Sequence, residues 1–454
     1  MDSQYKHIHF VTFQSLINWS VAHLLNRDLG FTKRYSFVRI GDLIHRSSEL
    51  VTIKDDILYT QVTLKTNGGG AVLRDKKLGK EIGTKKQYLA KEGQFIMSKI
   101  DARNGAFGIV SKELDNAIVT GDFPLFDVDT ERINPTYLYL LSSTRQFVRY
   151  AQSCSRGTTN RQRIDIDAFL GLQIPLPSME EQNAIIAAYN TYIEQAIICT
   201  STAHGIDAEI EEYLHNILGT NIELNQNVSL LSFVHYKDIS RWDPLFLLSS
   251  SNIHSKYQLV TLSTCINNFL SDENGVSLRI ETQKTPTQEY RYIGMENVEK
   301  ETGRVVDAPI VKGKEIKSQT IKVPTKYFIY GKLRPYLNKY WYNDSEQLEE
   351  IICSSEFFVF DIKDNINTNY FKYVLASYIV QKQIVEAMSG ARMPRISEDT
   401  FRNIQIPLPP LDLQNEIVEH ITLLREKQKT MIEQAKERRK QAAQQFEQTI
   451  FEQL

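Results

Sequence analysis

Ile174-Pro-Leu-Pro-Ser-Met-Glu-Glu-Gln182 returns 232 residues later as Ile406-Pro-Leu-Pro-Pro-Leu-Asp-Leu-Gln414. Each copy opens onto a long run of helix-forming residues. An internal repeat governs the reading of everything around it, and this one predicts a single unit written twice. Moving upstream from the motif, Arg395-Ile396 and Phe401 answer Arg163-Ile164 and Phe169 at the same shift of 232. Farther out, Leu348 to Asp361 answers Leu114 to Asp127 at 234, and Trp242 with Leu247-Leu248 answers Trp19 with Leu24-Leu25 at 223. The drift in the shift places insertions in loops.

Downstream of the first copy, Ile185, Tyr189, Tyr192, Ala196, Cys199, Ala203, Ile206, Ile210, Tyr213 and Ile217 step by threes and fours. Downstream of the second, Ile417, Ile421, Leu424, Gln428, Met431, Ala435, Arg438, Ala442, Phe446 and Ile450 do the same. A sustained 3.5-residue repeat is the mark of a coiled-coil seam. Ser178 with Glu181 makes a capping box at the first start, and Pro410 suits the first helical position of the second. Each run is roughly 40 residues, or about 60 Å at 1.5 Å per residue. A helix that long needs a partner along its seam, and the two match only each other.

Ahead of the first motif the signals are mixed. Tyr35–Ile40 and Ile57–Leu64 read as strands, and Asn67-Gly-Gly-Gly70 as a loop. Phe95–Ile100 and Phe107–Val110 flank Asp101-Ala-Arg-Asn-Gly105, which predicts a strand-turn-strand with Asn-Gly at the turn. Ala117–Thr120 and Leu125–Val128 continue the β pattern. Asn134-Pro135 then opens a single helix to about Ser153. The expected architecture is α+β: two tandem mixed α/β domains separated by two long helices that pair as an antiparallel coiled coil. The boundaries are residues 1–177 and 220–409 for the domains, and 178–219 and 410–454 for the helices.

At 454 residues the chain exceeds one ordinary domain, and 42% hydrophobic with 24% charged residues is the composition of a globular protein. No run of about 18 apolar residues occurs, and Met1-Asp-Ser-Gln-Tyr-Lys6 has no apolar signal core. Four scattered cysteines (Cys154, Cys199, Cys265, Cys353) form no CxxC pair, which with the rest predicts a reduced cytoplasmic setting. The net charge of −2 hides an uneven distribution. Residues 1–177 carry 24 Lys+Arg against 18 Asp+Glu, residues 178–219 none against 7, and residues 220–409 carry 22 of each. The first domain is therefore basic and the first helix acidic, and local fields follow that distribution.

No catalytic constellation emerges. There is no GxxxxGK[ST] loop and no Asn/Asp-Pro-Pro-aromatic tetrapeptide of an adenine methyltransferase. His7 and His9 make no convincing metal pair. Asp307 with Glu315-Ile-Lys317 faintly resembles a metal-dependent nuclease pattern but has no counterpart in the first half. What recurs in both halves is polar and basic. The first half carries Lys99, Arg103 and Asn104, then Arg156, Thr158, Thr159, Asn160, Arg161 and Arg163. The second carries Lys332, Arg334, Tyr336 and Lys339, then Arg392 and Arg395. Arg and Asn suit bidentate bonding to base edges, while Lys, Thr and backbone N–H suit phosphates.

Lys99-Ile-Asp-Ala-Arg-Asn-Gly-Ala-Phe-Gly-Ile-Val110, Gly157-Thr-Thr-Asn-Arg161 and the Ile-Pro-Leu-Pro motif with Glu-Gln182 resemble the specificity subunit of type I restriction-modification systems. Lys332-Leu-Arg-Pro335 and Ile406-Pro-Leu-Pro-Pro-Leu with Gln414 carry the resemblance through the second half. Departures are Ser389-Gly-Ala-Arg-Met-Pro-Arg395 in place of the Gly-Thr-Thr-Asn-Arg run, and Leu413 in place of the Glu before Gln414. The resemblance implies two target-recognition domains, each reading half of a bipartite, asymmetric DNA sequence. It implies a chain without catalytic residues of its own, whose helices dock two adenine methyltransferase subunits, with restriction (translocase) subunits joining through them. S-adenosylmethionine would bind in the methyltransferase, ATP and magnesium in the restriction subunit. Ile185, Tyr189, Tyr192, Ile206, Ile210, Ile417, Ile421, Leu424 and Met431 make up the coiled-coil and partner set. The alternative is a DNA-binding adaptor or an autonomous nuclease built from the same domains.

Overall fold

The computed structural model describes residues 30–156, 163–223, 252–345, 349–388 and 392–451. Two compact units divide the chain: Met1–Thr200 with Ile432–Leu454, and Ser201–Met431.

In the first unit, β1 (Ser36–Arg39), β2 (Ile44–Ser47), β3 (Leu50–Thr52), β4 (Leu58–Leu64), β5 (Ala71–Leu78) and β6 (Lys86–Leu89) come first. They are followed by β7 (Phe95–Met97), β8 (Phe107–Ile109), β9 (Ile118–Val119) and β10 (Leu125–Val128). Helices α1 (Pro135–Ser142) and α2 (Arg145–Ser153) lead to the short strands β11 (Ser155–Arg156) and β12 (Arg163–Ile164). Helix α3 (Ile166–Leu170), β13 (Gln173–Leu176) and the long helix α4 (Met179–Leu218) complete the order. A four-stranded antiparallel sheet runs β2-β10-β7-β8, and a five-stranded mixed sheet runs β3-β6-β9-β4-β5 with β4 and β9 parallel. Phe95, Phe107 and Phe169 stack, and Phe147 meets Phe107 and Phe169 edge-on, at ring distances between 5.8 and 6.4 Å, to form the centre of the core.

The second unit repeats this order. It begins with β14 (Asn221–Glu223), β15 (Asn252–His254), β16 (Leu259–Thr261), α5 (Leu262–Cys265) and β17 (Ile266–Phe269). Next come β18 (Arg279–Ile280), β19 (Glu289–Ile293), β20 (Ile310–Lys312), β21 (Thr320–Lys322), β22 (Phe328–Gly331) and β23 (Tyr340–Tyr342). After β24 (Glu350–Ser354) and β25 (Phe357–Ile362) stand α6 (Thr368–Ala376), α7 (Tyr378–Ala387), α8 (Glu398–Arg402), β26 (Gln405–Pro407) and α9 (Leu411–Ile450). Its sheets run β17-β25-β22-β23 and β18-β21-β24-β19-β20, again with one parallel pair, β19 with β24. The duplication read from the motif is a duplication of topology.

Three local expectations are corrected. The stretch after Asn134 is two helices, because Thr144 adopts an extended backbone and its hydroxyl accepts from the Phe147 N–H. Ser377, also extended, breaks the second unit at the matching place. Side chains that bond their own backbone favour such breaks. The strand-turn-strand is as read, β7 pairing antiparallel with β8, but its connection is a 3-10 turn over Ala102–Asn104 that ends in left-handed Gly105 (φ 74°) rather than a two-residue Asn-Gly turn. Asn338 takes the same left-handed place (φ 46°) in the second unit. Pro410 precedes α9 as its cap, and its carbonyl accepts from the Gln414 N–H at 3.1 Å. The capping box at α4 is as read: Ser178 N–H donates to the Glu181 carboxylate, and Glu181 N–H to the Ser178 hydroxyl.

The proline motif lies on a strand. β13 pairs antiparallel with β1, placing Pro175 opposite Phe37, and β26 pairs with β16 in the same way. In such two-stranded ribbons a proline costs no ladder bond from a second neighbour. Both joints are tied by the same polar set. Tyr137 and Tyr370 donate their hydroxyls to the Pro175 and Pro407 carbonyls at 2.9 and 2.7 Å. Gln182 accepts from Asn134 N–H at 2.8 Å and donates to Pro177 O at 2.9 Å. Gln414 does likewise with Asn367 N–H (2.9 Å) and Pro409 O (2.9 Å). Both glutamines are buried.

Each long helix contributes to both units, and within each unit the two run antiparallel. In the first, Arg439 donates to the Thr200 hydroxyl at 3.1 Å, and Phe446 and Ile450 of α9 join the domain core. In the second, Arg425 pairs with Asp207, Gln428 donates to Ala203 O at 2.9 Å, and Tyr213 stacks on His420 at 4.1 Å. There Ile206, Ile210, Leu214 and Leu218 of α4 sit in the core beside Ile417, Ile421 and Leu424 of α9. The helix ends are closed alike: Thr32 N–H donates to Ile450 O at 2.9 Å, and Lys256 N–H to Leu218 O at 3.0 Å. Most of the seam is where the heptads placed it; Arg438 is exposed, and buried Ile186, Leu214 and Leu218 were not in the reading. Among the described residues no helix is long and apolar enough to cross a membrane.

Gln182→Leu strands the Asn134 N–H and the Pro177 carbonyl in a buried joint, so it is expected to destabilise the first unit by about 1–3 kcal/mol. Chemical denaturation reads this as a lower midpoint at unchanged slope; an unchanged midpoint would refute the role given to the joint.

Candidate nucleic-acid interface

The candidate residues of each unit converge at the exit of one central strand. Lys99 follows β7, and its N–H donates to Asp122 O at 2.8 Å while its carbonyl accepts from Ile164 N–H at 2.9 Å. The Asp122 carboxylate holds Arg163 at 3.2 Å. The second unit repeats the arrangement. Lys332 N–H donates to Glu356 O at 2.8 Å, Ile396 N–H to Lys332 O at 3.2 Å, and Glu356 holds Arg395 through two bonds of 3.1 and 2.9 Å. Residues more than sixty positions apart in sequence are thus brought together by an acid that had not been singled out. The signal for it existed, since Asp122 and Glu356 lie inside the segments matched at a shift of 234.

The remaining candidates divide. Arg103 and Asn104 sit on the 3-10 turn beside Lys99; Asn104 is exposed, and its carbonyl accepts from Asn67 N–H at 2.8 Å. Tyr139 pins the same glycine loop by donating to Gly68 O at 2.6 Å. Arg334 and Tyr336 are exposed around the matching turn, and Arg334 N–H ties it to Pro394 O at 2.7 Å. Arg392 is exposed. Lys339 is turned inward, with its ammonium donating to Met295 O at 2.6 Å. Lys332 is half-buried; its ammonium donates to Ser355 O at 2.8 Å and stands 5.0 Å over the Phe358 ring. Arg156 pairs by its backbone with Arg163 across β11 and β12. Thr158, Thr159, Asn160 and Arg161 lie outside the described residues. Asp307 and Glu315 do not meet as a metal site: Glu315 accepts from the Lys312 N–H of its own turn. Among the described residues no group of three His, Cys, Asp or Glu is placed to hold a metal.

Electrostatics follow from the pairing. The Arg395 hydrogen bond, opposed by partial burial, holds the Glu356 carboxyl below the usual carboxylate range. Burial lowers the Lys332 ammonium, and the neighbouring Arg279 adds to that. A guanidinium held on one side by a carboxylate is fixed in place with further donors to offer, which suits phosphate oxygens and base edges.

Of the coiled-coil and partner set, Ile206, Ile210, Ile417, Ile421 and Leu424 are core residues of the second unit, and Ile185 and Tyr189 pack on the core of the first. Tyr192 and Met431 are half-buried on the helices. The large apolar side chains that the helices expose are different ones: Ile197 (57%), Ile198 (65%) and Ile432 (43%) in the first unit, and Leu411 (46%) and Leu423 (60%) in the second.

The family described as "Type I restriction modification DNA specificity domain" matches residues 33–212 and 266–438. A comparison with curated proteins returns no match. Among solved structures, a chain from a study of complex assembly and conformational transition of the type I R-M system shares 14% identity, with 92% of this chain and 98% of that chain covered and a TM-score of 0.54. The HsdS subunit from Thermoanaerobacter tengcongensis shares 13% identity over 93% and 98% of the two chains, with a TM-score of 0.44. The S subunit from M. genitalium shares 16% over 93% and 98%, with a TM-score of 0.39.

The Glu356–Arg395 pair carries a pH signature. With its folded pKa lowered, Glu356 takes up a proton more readily in the unfolded chain. Its stabilisation is therefore complete above the ordinary Glu range, near pH ~4.3, and is lost as pH falls through the lowered folded value. Glu356→Gln should flatten the acid limb, so that its thermal midpoint changes less than the wild type's between about pH 5 and about pH 3. Parallel curves would show that the pair contributes nothing.

Proposed function

Because the chain belongs to the type I restriction-modification DNA specificity family, we propose that each of its two units reads one half of a bipartite, asymmetric DNA target. The observation that carries this is the Lys–acid–Arg cluster repeated on a repeated fold, Lys99–Asp122–Arg163 and Lys332–Glu356–Arg395. A common frame holds common cations, while the residues around them differ between the units. Common cations serve the phosphates shared by all DNA, and differing neighbours serve different bases. The 3-10 turns with Arg103 and Asn104, and with Arg334 and Tyr336, stand at the same edge and supply further donors.

The chain performs no chemistry in this reading. Two methyltransferase subunits, which bind S-adenosylmethionine and modify adenine, dock on the long helices. Restriction subunits, with their ATP and magnesium, join through them. Support for docking comes from Ile197, Ile198 and Leu423, large apolar side chains left exposed on helices whose seams are already filled.

Three expectations test this. Sequencing of methylated DNA from cells carrying the chain and its methyltransferase should show one gapped, non-palindromic adenine motif; a continuous or palindromic motif would overturn the reading. Arg103→Ala should relax or weaken recognition in one half-site only, by about 1–3 kcal/mol per good contact, whereas a uniform loss with a shallower salt dependence would assign it to phosphate. Ile198→Asp combined with Leu423→Asp should abolish co-purification with the methyltransferase at an unchanged melting temperature, and intact co-purification would remove the helices as the platform.

A further inference from the structure

Beside the second unit's cluster lies a cleft of about 440 Å³ lined by Arg279, Ile280, Glu281, Gln319, Lys332 and Ser355. Its carboxylates are already engaged: Glu281 pairs with Lys284 at 2.9 Å, and Glu356 next to Ser355 holds Arg395. Arg279 is exposed and makes no ion pair with any described residue. The cleft therefore presents an uncommitted guanidinium next to the half-buried Lys332.

Strand register gives the matching positions in the first unit. Arg279 lies opposite Ile321, which lies opposite Cys353; Leu50 lies opposite Tyr88, which lies opposite Val119. Cys353 and Val119 correspond at the shift of 234, so Leu50 occupies the place of Arg279 and Lys86 that of Gln319. The inner positions are alike: Gln87 and Thr320 are both buried polar residues, and Val51 and Ile280 are both apolar. The outer positions are unlike: Leu50 is 62% exposed, an apolar side chain in open solvent at the register position that Arg279 holds beside Lys332 in the second unit. A shared floor with a divergent rim is what two readers of different sequences require of one fold. Among the described residues, the side chains of Lys86, Arg279 and Gln319 make no hydrogen bond or ion pair, and Leu50 belongs to no buried core.

We propose that this rim is the base-reading surface of each unit, with Arg279 and Gln319 facing bases in one half-site and Leu50 and Lys86 in the other. Arg279 takes the major-groove edge of a guanine, whose O6 and N7 match the guanidinium fork, and Leu50 packs on a thymine methyl. The inference rests on the half-site reading of the function and adds to it the residues that separate one specificity from the other.

The test uses the full chain in complex with its methyltransferase, read by methylated-DNA sequencing and by binding to duplexes permuted at each position. Arg279→Ala should reduce discrimination for one guanine about ten- to a hundredfold in one half-site and leave the other half-site as it was. Leu50→Ala should relax one thymine position in that other half-site. Both positions are exposed, so neither variant threatens the fold, and Arg279→Lys, which keeps the charge but loses the fork, should relax the guanine as Ala does. Unaltered motifs in all three variants would overturn the inference, as would a uniform fall in affinity with a shallower salt dependence, which assigns Arg279 to phosphate. A wild-type complex with no half-site motif would overturn the functional reading, and this inference with it.

Discussion

Two buried glutamines hold the places where each domain meets its helix. A chain that leaves a strand through two prolines and enters a helix has carbonyls without ladder partners and N–H groups without acceptors. In a buried joint each of those would cost as much as a broken hydrogen bond. Gln182 and Gln414 meet this by using both ends of one amide, accepting from Asn134 or Asn367 and donating to Pro177 or Pro409. Tyr137 and Tyr370 satisfy the carbonyl of the proline two residues back on the strand. The direction in which α4 and α9 leave their domains follows from these few bonds. The rest of the fold inherits that direction.

The long helices are consequently structural parts of the domains as well as connections between sequence halves. Apolar side chains at the start of α4 and the end of α9 pack into the first unit's core, and those at the end of α4 and the start of α9 into the second's. Midway along, the seam changes character: Ala196, Ala203, Ala435 and Ala442 replace large residues, and Arg425 with Gln428 forms a polar layer on Asp207 and Ala203. Polar contacts in an apolar seam fix which residues face one another, because any slip leaves those groups without partners.

The features legible in sequence are those written at a fixed period. Phe169 and Phe401 lie at the centre of matching cores, and the heptad positions from Ala196 to Ile210 are buried apart from half-buried Cys199. Local side-chain chemistry was harder to see. Thr144 and Ser377 stand at helix breaks with their hydroxyls bonded to backbone groups three residues away, Phe147 N–H and Val374 O, an outcome that apolar periodicity does not register. Asp122 and Glu356 sit in the short connections before β10 and β25 and gain their meaning only from Arg163 and Arg395, which arrive from far along the chain. Lys339 shows the opposite failure, since a lysine in a basic run can turn inward when a carbonyl such as Met295 O lies within reach. Charge marks a surface; only packing decides which of its members stay there.

The closure of the helix ends has a consequence for inheritance. The residues that complete the first domain, Phe446, Ile450 and Phe451, are encoded at the far end of the chain, after the entire second domain. Those that complete the second, Leu214 and Leu218, are encoded before it begins. A recombination event that replaces one domain therefore keeps the fold whole as long as the crossover falls within the joints, because the helix tips that each domain needs are carried by the retained scaffold. Compatibility between halves of different origin is decided by a handful of helix-end side chains, and the rest of each domain's surface is left free to diverge.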